Sequence, residues 1–542
     1  DTEVLLHGYR VWGWDSLLQR LNGMFALALY DKKSCVLYLA RDRTGQKPLY
    51  YAQFGNKLLF GSEIKALLES ELVSRDLNLP AIDRYLTLRY VPQPETLLRD
   101  IRVLPGGHAL TWNDGRLTLQ RYWQPPVAPV IKRSPAEALG EFTSLFDAAV
   151  SRTLRSDVPV GAYLSSGVDS SLLVATLAAR GGSPFSGKTY ALGFGSKIDE
   201  TPWAAGLARR LGTDHTTIQM GARDFGELPR AIWHLERPIG EPLILAFDRL
   251  ASTAAADGKV VISGEGADEL FAGYSFHRVI RLVEKYQRTV PSAVHRLAVM
   301  PLLRTLPVGM LDRLFPFPAY LGTAGKQRFV QFMDKFARRD LGANYAALRS
   351  LFDVEDRQSL YAPAFRELAT ESWIHTKVDE SARPLERLLN LQHHDWLQDF
   401  ALLRQDKLSM AHGLEVRLPM LDHTLIDFAA TLPENLKLTR RQNKVLLRTL
   451  AAQRLPRENA QRPKQAFYLP LESLYRHPTF EDLISETLNP ASVEERGIFD
   501  VPAVAQLKAR ADRGEFLHLK QLMALAMLEV WMRIFLDKQR MW

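Results

Sequence analysis

The chain has 542 residues, of which 46% are hydrophobic and 24% charged, and its net charge is +8. This composition is typical of a soluble globular protein with material for two or three cores, and no apolar run is long enough to cross a membrane. The single cysteine excludes an internal disulfide framework and any Cys-x-x-Cys site, and it indicates a reducing, cytoplasmic location. Because no RNA-binding motif accompanies the positive charge, we expect anionic small-molecule substrates and no nucleic-acid or membrane partner.

Residues 1–124 are predicted to be mostly β. The predicted strands, which are short apolar or alternating runs between turn signals, cover residues 24–31, 35–42, 48–54, 57–63, 108–112 and 117–123. Two helices are predicted over residues 62–71 and 79–88. Cys35 falls within a predicted strand, and we expect it in the core. Residues 125–135, with four prolines and no helical pattern, are the predicted linker.

Strands and helices alternate between residues 136 and 263, which is typical of a parallel sheet with right-handed crossovers. The predicted helices cover residues 136–156, 171–180, 201–211, 223–235 and 246–256. The predicted strands cover residues 158–164, 188–194, 215–220 and 259–263. Residues 275–400 and 472–542 are predicted to be helical, and we expect the basic helices of the first region to present solvated faces rather than a partner site.

Residues 164–171, LSSGVDSS, join a buried strand to a helix. A Ser/Gly loop in this position directs several backbone N–H groups at one point, which is the geometry that holds a phosphate. The loop serines, Ser165, Ser166 and Ser170, add hydroxyl donors. Gly167 permits close approach, and Asp169 supplies a carboxylate suited to Mg²⁺. A Ser-rich turn that only caps the helix is the alternative.

A second stretch, residues 259–269 (KVVISGEGADE), repeats this design. Ser263 and Gly264 form the turn, and Glu265 and Asp268 supply carboxylates. Because the carboxyl ends of parallel strands meet at one edge of a sheet, the two loops predict a nucleotide–magnesium site there. No GxxxxGK[ST] motif occurs, so the first loop is not of the type that cleaves the terminal phosphate.

These motifs resemble those of a known family. SSGVDSS resembles the SGGxDS pyrophosphate loop of the ATP-pyrophosphatases, and SGEGADELFAGY is similar to a segment of the glutamine-dependent asparagine synthetases. Residues 402–423 (LLRQDKLSMAHGLEVRLPMLDH) are similar to that family's DxxSMAxxLExRxPFLD, although residues 415–417 alone would predict only a charged turn. Residues 443–448 (NKVLLR) match GKxxLR with Asn443 in place of glycine, and residues 462–464 match RPK.

The resemblance implies that residues 136–542 form an α/β parallel-sheet domain, similar to the adenine-nucleotide α-hydrolases, with a helical C-terminal part. It implies that adenine lies along Tyr163 and Leu192 and that Lys444 contacts the α-phosphate and the departing pyrophosphate. Lys464 would bind the phosphates too, with a surface lysine as the alternative.

The expected chemistry assigns one task to each carboxylate of the two loops. Asp169 and Asp268 would hold Mg²⁺, and Glu265 would position the substrate amine or transfer a proton.

Residues 1–124 resemble the C-terminal part of a class II glutamine amidotransferase domain, an α+β fold of the N-terminal-nucleophile hydrolase type. The segments DTEVLL, NGMFALALYD, ARDRTGQKPLYY and FGSEIKALL carry this resemblance. It implies that Asp1 matches the aspartate that holds the α-ammonium of glutamine. Such domains use an N-terminal cysteine nucleophile, which this sequence does not contain and which Cys35 does not replace. We expect a truncated domain in a chain that uses ammonia but not glutamine.

The expected function is the synthesis of asparagine from aspartate with ATP and Mg²⁺, through β-aspartyl-AMP, with ammonia supplied from glutamine in the full-length protein. The alternatives are amide formation on a surface-polysaccharide sugar acid, a β-lactam synthetase-like cyclisation, RNA modification and a non-catalytic ATP-binding module. Residues 240–242 do not match the family's substrate-facing acidic segment, which keeps the first two alternatives open. A homodimer also stays open.

Overall fold

The computed structural model describes residues 2–195, 199–310, 322–335, 341–370, 382–462 and 469–542. The N-terminal region contains seven strands within these residues: β1 (Ala26–Asp31), β2 (Val36–Arg41), β3 (Tyr50–Phe54), β4 (Lys57–Gly61), β5 (Arg102–Val103), β6 (His108–Asn113) and β7 (Arg116–Arg121). They form two antiparallel sheets, one of order β1-β2-β6-β7 and one of order β4-β3-β5. The helices Ile64–Leu68 and Leu79–Leu88 lie between β4 and β5, as predicted.

The first helix of the chain, Thr2–Arg20, was not predicted, and the expectation of a mostly β region is wrong there. Its signal was present in the sequence. Trp14, Leu17 and Leu21 follow the spacing of three and four that places side chains on one helical face, and they pack together in one apolar cluster. Gly13, at φ 74°, interrupts the helical backbone between the two halves of this segment.

Cys35 is exposed, so its expected place in the core is wrong. It lies at φ 56° in the turn between β1 and β2, where Asp31 pairs with Val36. The polar residues Lys32, Lys33 and Ser34 precede it, and a left-handed backbone belongs to a turn rather than to a strand interior.

The second half of the chain forms the expected parallel sheet. Its strands are β8 (Val160–Tyr163), β9 (Phe185–Gly193), β10 (Asp214–Gln219), β11 (Val260–Ile262) and β12 (Glu415–Arg417). They lie in the order β10-β9-β8-β11-β12, and every neighbouring pair is parallel. The helices around this sheet are Pro135–Thr153, Val168–Arg180, Thr201–Leu211, Leu228–Leu235 and Ile244–Asp257, and the short helical turn Ala222–Glu227 precedes the fourth.

Residues 415–417 form the strand β12 beside β11, which corrects the expected charged turn. Val416 is buried, and Arg417 Nε donates to Glu415 Oε1 at 2.6 Å on the opposite side of the strand. A run of three residues is too short for this alternation to be recognised without its partner strand.

The remaining described residues are helical. The helices up to residue 402 are Ala267–Leu270, Ser275–Thr289, Ser292–Val294, His295–Val299, Met300–Thr305, Gly322–Lys335, Leu341–Arg349, Val354–Leu360, Pro363–Leu368, Pro384–Gln392 and His393–Leu402. Those after it are Leu403–Met410, Pro419–Leu421, His423–Thr431, Glu434–Lys437, Val445–Arg454, Arg457–Gln461, Leu471–Leu474, Pro478–Thr487, Pro490–Arg496, Val501–Asp512 and Phe516–Phe535. Among the residues described, no helix combines the length and the apolar character that a membrane crossing needs.

One apolar core joins the N-terminal region to the rest of the chain. Tyr50 and Tyr85 from the N-terminal region belong to the same cluster as Leu192 from β9, Phe400 and Leu528. The Tyr85 hydroxyl donates to the carbonyl of Ala524 in the last helix at 2.8 Å. The predicted division at residues 125–135 stays a prediction, and between β7 and residue 135 the chain contains no helix or strand.

Candidate functional site

The two predicted bends meet at the carboxyl edge of the parallel sheet, because β8 and β11 are adjacent strands. A Cβ atom on Gly264 would lie 3.0 Å from the backbone nitrogen of Ser170 and 3.1 Å from the carbonyl carbon of Asp169. These are backbone atoms that cannot rotate away, so glycine is needed for this approach. The bend at 263–265 therefore rests directly on the loop at 164–171.

Hydrogen bonds within the first bend fix its shape. The hydroxyls of Ser165 and Ser170 lie 2.8 Å apart, and Ser170 Oγ accepts from the backbone N–H of Ser165 at 3.1 Å. The backbone N–H of Gly167 donates to Ser165 Oγ at 3.1 Å. The helix Val168–Arg180 begins after Gly167, which places Asp169 in its first turn. An anion beside this turn would meet the positive end of the helix dipole.

Lys444 connects the two bends. Its Nζ lies 2.5 Å from Asp169 Oδ2 and 2.6 Å from Asp268 Oδ1, and its side chain is buried. Burial lowers the pKa of Lys444, but the negative charges of Asp169 and Asp268 outweigh it and raise that pKa above its ordinary value. Lys444 has φ 52° and precedes the helix Val445–Arg454. A Cβ on Gly273 would overlap both the Lys444 stem and the Asp268 carboxylate, so a glycine there makes room for the ion pairs.

Asp169 and Asp268 fit a magnesium ion that is also bound by the phosphates of a substrate. Asp169 Oδ1 is buried and has no hydrogen-bond partner among the described residues. No group of three or more His, Cys, Asp or Glu side chains in the described part of the chain could hold a metal by itself. Mg²⁺ is usually bound by one or two carboxylates together with substrate phosphates, and Asp169 and Asp268 supply that number.

A cavity of about 420 Å³ opens in front of the two bends. It is lined by the following predicted site residues: Tyr163, Ser165, Gly167, Asp169, Ser170, Leu192, Ser263, Gly264, Glu265, Asp268 and Lys444. Ser166, the other serine of the first loop, is buried and does not line the cavity. Asp1 and Lys464 lie outside the described residues.

The apolar end of the cavity lies along β8 and β9. Tyr163 and Leu192 line it together with Leu250 from the helix Ile244–Asp257. Glu200 stands at its rim beside the first bend, and burial raises the pKa of this carboxyl. An apolar lining beside a loop that suits phosphate is typical of a site for a nucleotide base.

The other end of the cavity is charged, and the sequence analysis did not identify its residues. Arg404 lies there with its guanidinium 4.0 Å from the ring centre of Phe247 and 4.8 Å from that of Phe400. Its side chain is 10% exposed, its nearest carboxylate oxygen is Glu265 Oε1 at 3.8 Å, and its Nε has no partner among the described residues. Trp396 stacks on Phe400 with ring centres 3.9 Å apart and completes this wall.

Glu241 lies at the same charged end, in the segment that did not match the family pattern. Its Oε2 lies 3.2 Å from Arg89, a residue of the N-terminal region. Burial raises the pKa of Glu241, but the charges of Arg89, Lys520, Arg404 and Arg349 together bring it below its ordinary value. At this end Arg404 lines the cavity together with the carboxylates of Glu241 and Glu265, whereas Arg89, Arg349 and Lys520 act on Glu241 from outside the lining.

A buried carboxyl lies behind Asp268. Burial raises the pKa of Glu269 to about 7, and the charges of Asp268 and Glu265 act in the same direction. The Tyr274 hydroxyl, which lines the cavity, donates to Glu269 Oε1 at 2.7 Å.

Sequence signals for the missed residues exist but are weak. Trp396, Phe400 and Arg404 recur every fourth residue, which places them along one side of a helix. Nothing in that pattern distinguishes a cavity wall from a core face. Glu241 has no periodic signal, since its position depends on Arg89 from a distant part of the chain.

The sequence was compared with family profiles and with curated proteins. The profile of asparagine synthase matches residues 141–533, and that of the glutamine amidotransferase domain matches residues 1–123. A Mycobacterium tuberculosis protein provisionally named asparagine synthetase [glutamine-hydrolyzing] is 31% identical over 99% of this chain and 80% of its own length. Asparagine synthetase [glutamine-hydrolyzing] 1 of Bacillus subtilis is 30% identical over 91% of this chain and 76% of its own length. Amidase chry2 of Gibberella zeae is 26% identical over 98% of this chain and 82% of its own length.

Proposed function

Because the chain belongs to the asparagine synthase family, we propose that it converts aspartate to asparagine with ATP, through a β-aspartyl-AMP intermediate. Family membership supports ATP-dependent amide synthesis. The observation that carries the proposal is the contact of the two bends, which places Asp169 and Asp268 on either side of Lys444. The domain match at residues 1–123 supports glutamine as the ammonia source.

The first bend is proposed to bind the β- and γ-phosphates of ATP. The start of the helix at Val168 offers the positive end of its dipole. The loop N–H groups would turn to these oxygens from their present partners, such as Ser165 Oγ for the N–H of Gly167. Lys444 is proposed to contact the α-phosphate, where a buried ammonium stabilises the charge that develops as pyrophosphate leaves. Mg²⁺ held by Asp169 and Asp268 would neutralise phosphate charge.

In the first proposed step, the aspartate side-chain carboxylate attacks the α-phosphorus, a P–O bond forms, and the bond to pyrophosphate breaks. In the second step ammonia attacks the acyl carbon, and the bond to AMP breaks. The amine that forms must lose one proton, and Glu265 is proposed to accept it because it lines the cavity at the second bend. The products are asparagine, AMP and pyrophosphate.

The charged end of the cavity supports an acidic acceptor. A buried guanidinium without a full set of partners is costly, and an anion that reaches it offsets that cost. Arg404 is such a group, so we assign it to the second carboxylate of the acceptor. Arg404 lies 3.8 Å from Glu265, the proposed proton acceptor. An acceptor whose second carboxylate binds Arg404 would therefore have its reacting carboxylate near Glu265.

A second candidate function is amide formation on another acid, such as a sugar acid of a surface polysaccharide, or a β-lactam synthetase-like cyclisation. Glu241 favours it, because its carboxylate is already paired with Arg89 and is less available to the ammonium group of aspartate. The Gibberella zeae relative is named an amidase and not an asparagine synthetase.

Product analysis tests the proposal. The purified chain is incubated with ATP, Mg²⁺, ammonium and one carboxylic acid at a time, and AMP, ADP and the amide are quantified. We expect AMP and asparagine with aspartate. ADP and orthophosphate would contradict the whole assignment, whereas AMP with another acid and none with aspartate would favour the second candidate.

A further inference from the structure

Two consecutive helical segments, Ser275–Thr289 and 292–305, form a layer at the surface of the protein. Met300 and Leu303 of the second segment are buried and pack in one cluster with Phe332 and Met333. His295 anchors the same side, with Nδ1 2.8 Å from the Tyr286 hydroxyl and Nε2 3.0 Å from the Met333 carbonyl. The inner side of the second segment is therefore fixed against the protein.

The opposite side of the second segment is apolar as well, and it faces solvent. We call this side the outer face, and its residues are Val294, Leu297, Ala298, Pro301 and Leu302. Val294 is 47% exposed, Leu297 81% and Leu302 58%. Single exposed apolar residues are normal, but these recur at spacings of three and four and form a continuous strip, which is typical of an interaction site.

The sequence of the two segments is strongly basic. Residues 275–310 contain six Arg or Lys residues (Arg278, Arg281, Lys285, Arg288, Arg296 and Arg304) and one acidic residue, Glu284. Arg281 pairs with Glu434, and Arg304 pairs with Asp334. Lys285, Arg288 and Arg296 are exposed. An apolar strip with cations beside it is complementary to a surface that is apolar inside and negatively charged outside.

We propose that the outer face binds the surface of an anionic membrane. Val294, Leu297 and Leu302 enter the boundary between headgroups and acyl chains, and the exposed cations contact lipid phosphates. A second copy of the chain is a poorer partner, because it would bring two sets of like charges together. The proposal replaces the expected solvated helix face and the expected absence of a membrane partner, and it does not depend on the proposed reaction.

Vesicle flotation tests this proposal with the full chain. The protein is mixed with vesicles of phosphatidylcholine alone or of phosphatidylcholine with phosphatidylglycerol. We expect binding to the anionic vesicles and a loss of about tenfold or more in the Leu297→Ser/Leu302→Ser variant, because the headgroup attraction alone is weak. Phe54→Ser is the matched control, since Phe54 is 53% exposed on strand β3 of the N-terminal region, and it should bind like the unchanged protein.

Four results would overturn the proposal. The first is no binding to anionic vesicles, and the second is a double variant that still binds them, which would mean that general positive charge suffices. The third is a dimer in solution that the double variant dissociates, which would make a second copy the occupant. The fourth is a lower melting temperature of the double variant, which would mean that residues of the same chain cover the outer face.

Discussion

Lys444 Nζ lies 2.5 Å from Asp169 Oδ2, although 275 residues separate them in the chain. The ion pair joins the helix after the first bend to the turn before Val445–Arg454. It means that the proposed phosphate-binding residues come from three distant stretches of sequence and are held together by one buried cation.

The change Asp169→Asn should abolish pyrophosphate release, because an amide neither attracts Mg²⁺ nor balances Lys444. We expect a fall of about 10²–10³ in kcat, the usual size for a lost electrostatic contact in a catalytic site. The melting temperature should change little, since Lys444 keeps Asp268. Asp147→Asn, which affects a surface pair with Arg454, is the control and should retain activity. Full activity of Asp169→Asn would remove Asp169 from the proposed metal site.

The change Gly264→Ala should weaken ATP binding. The added methyl group would lie 3.0 Å from the backbone nitrogen of Ser170, so the two bends must separate. Calorimetric titration with ATP should show a loss of about tenfold or more, because phosphate donors displaced by even half an ångström no longer fit. Gly140→Ala is the control: nothing lies within 4 Å of its added methyl group, and it should stabilise the helix Pro135–Thr153. Unchanged ATP affinity in Gly264→Ala would argue against a shared phosphate site.

The change Arg404→Gln should raise KM for the acceptor acid and leave the affinity for ATP unchanged. Loss of a charged hydrogen bond to a carboxylate costs about 1.5–3 kcal/mol, which is a factor of about ten to a hundred. Steady-state AMP formation at varied aspartate, with Arg417→Gln as a control outside the cavity, measures the effect. Equal losses for aspartate and for an acid without the second carboxylate would show that Arg404 has only a structural role.

The change Asp395→Asn should stabilise the protein at alkaline pH and not at acid pH. Burial raises the pKa of Asp395 to about 7, and its Oδ2 accepts from the Tyr90 hydroxyl at 2.7 Å, a bond that asparagine can also accept. The folded state therefore binds more protons than the unfolded state between the ordinary carboxyl pKa and about 7. As pH rises through this range, the unchanged protein loses up to about 1.4 kcal/mol of unfolding free energy per pH unit.

Urea unfolding at pH 5 and pH 8 measures the difference between Asp395→Asn and the unchanged protein. It should be small at pH 5 and favour the variant at pH 8. Asp334→Asn is the control, because Asp334 is half-exposed in an ion pair with Arg304 and should show no such gain. A gain that is equal at both pH values would mean that Asp395 is ionised throughout.

The sequence analysis was most successful where a general rule of parallel sheets applies. The rule that carboxyl strand ends meet at one edge predicted from two short motifs that the loops lie together. In the structure Gly264 approaches Asp169 at that edge. The resemblance to a family, not the spacing, pointed to Lys444, which lies between Asp169 and Asp268. Arg404 could not be found in this way, because a charged residue on a helix has the same pattern whether it faces water or a cavity. Glu241 precedes the helix Ile244–Asp257 and has no periodic signal.

The errors in the predicted fold fall in short segments. The strand Glu415–Arg417 has too few residues to show alternation, and only β11 beside it makes it a strand. Cys35 ends a run of polar residues, and the left-handed backbone that exposes it depends on the closure of the β1–β2 hairpin. In both cases the structure depends on pairing with another strand. The secondary-structure propensity of a few residues does not predict such pairing.

The late position of β12 has a consequence for biosynthesis. While the ribosome has not yet released residues 415–417, β11 is an open sheet edge that can pair with another nascent chain. Asp169 and Asp268 are also uncompensated until Lys444 emerges. We expect newly made chains to engage chaperones until translation passes this point, and a slowed ribosome upstream of it to raise the aggregated fraction.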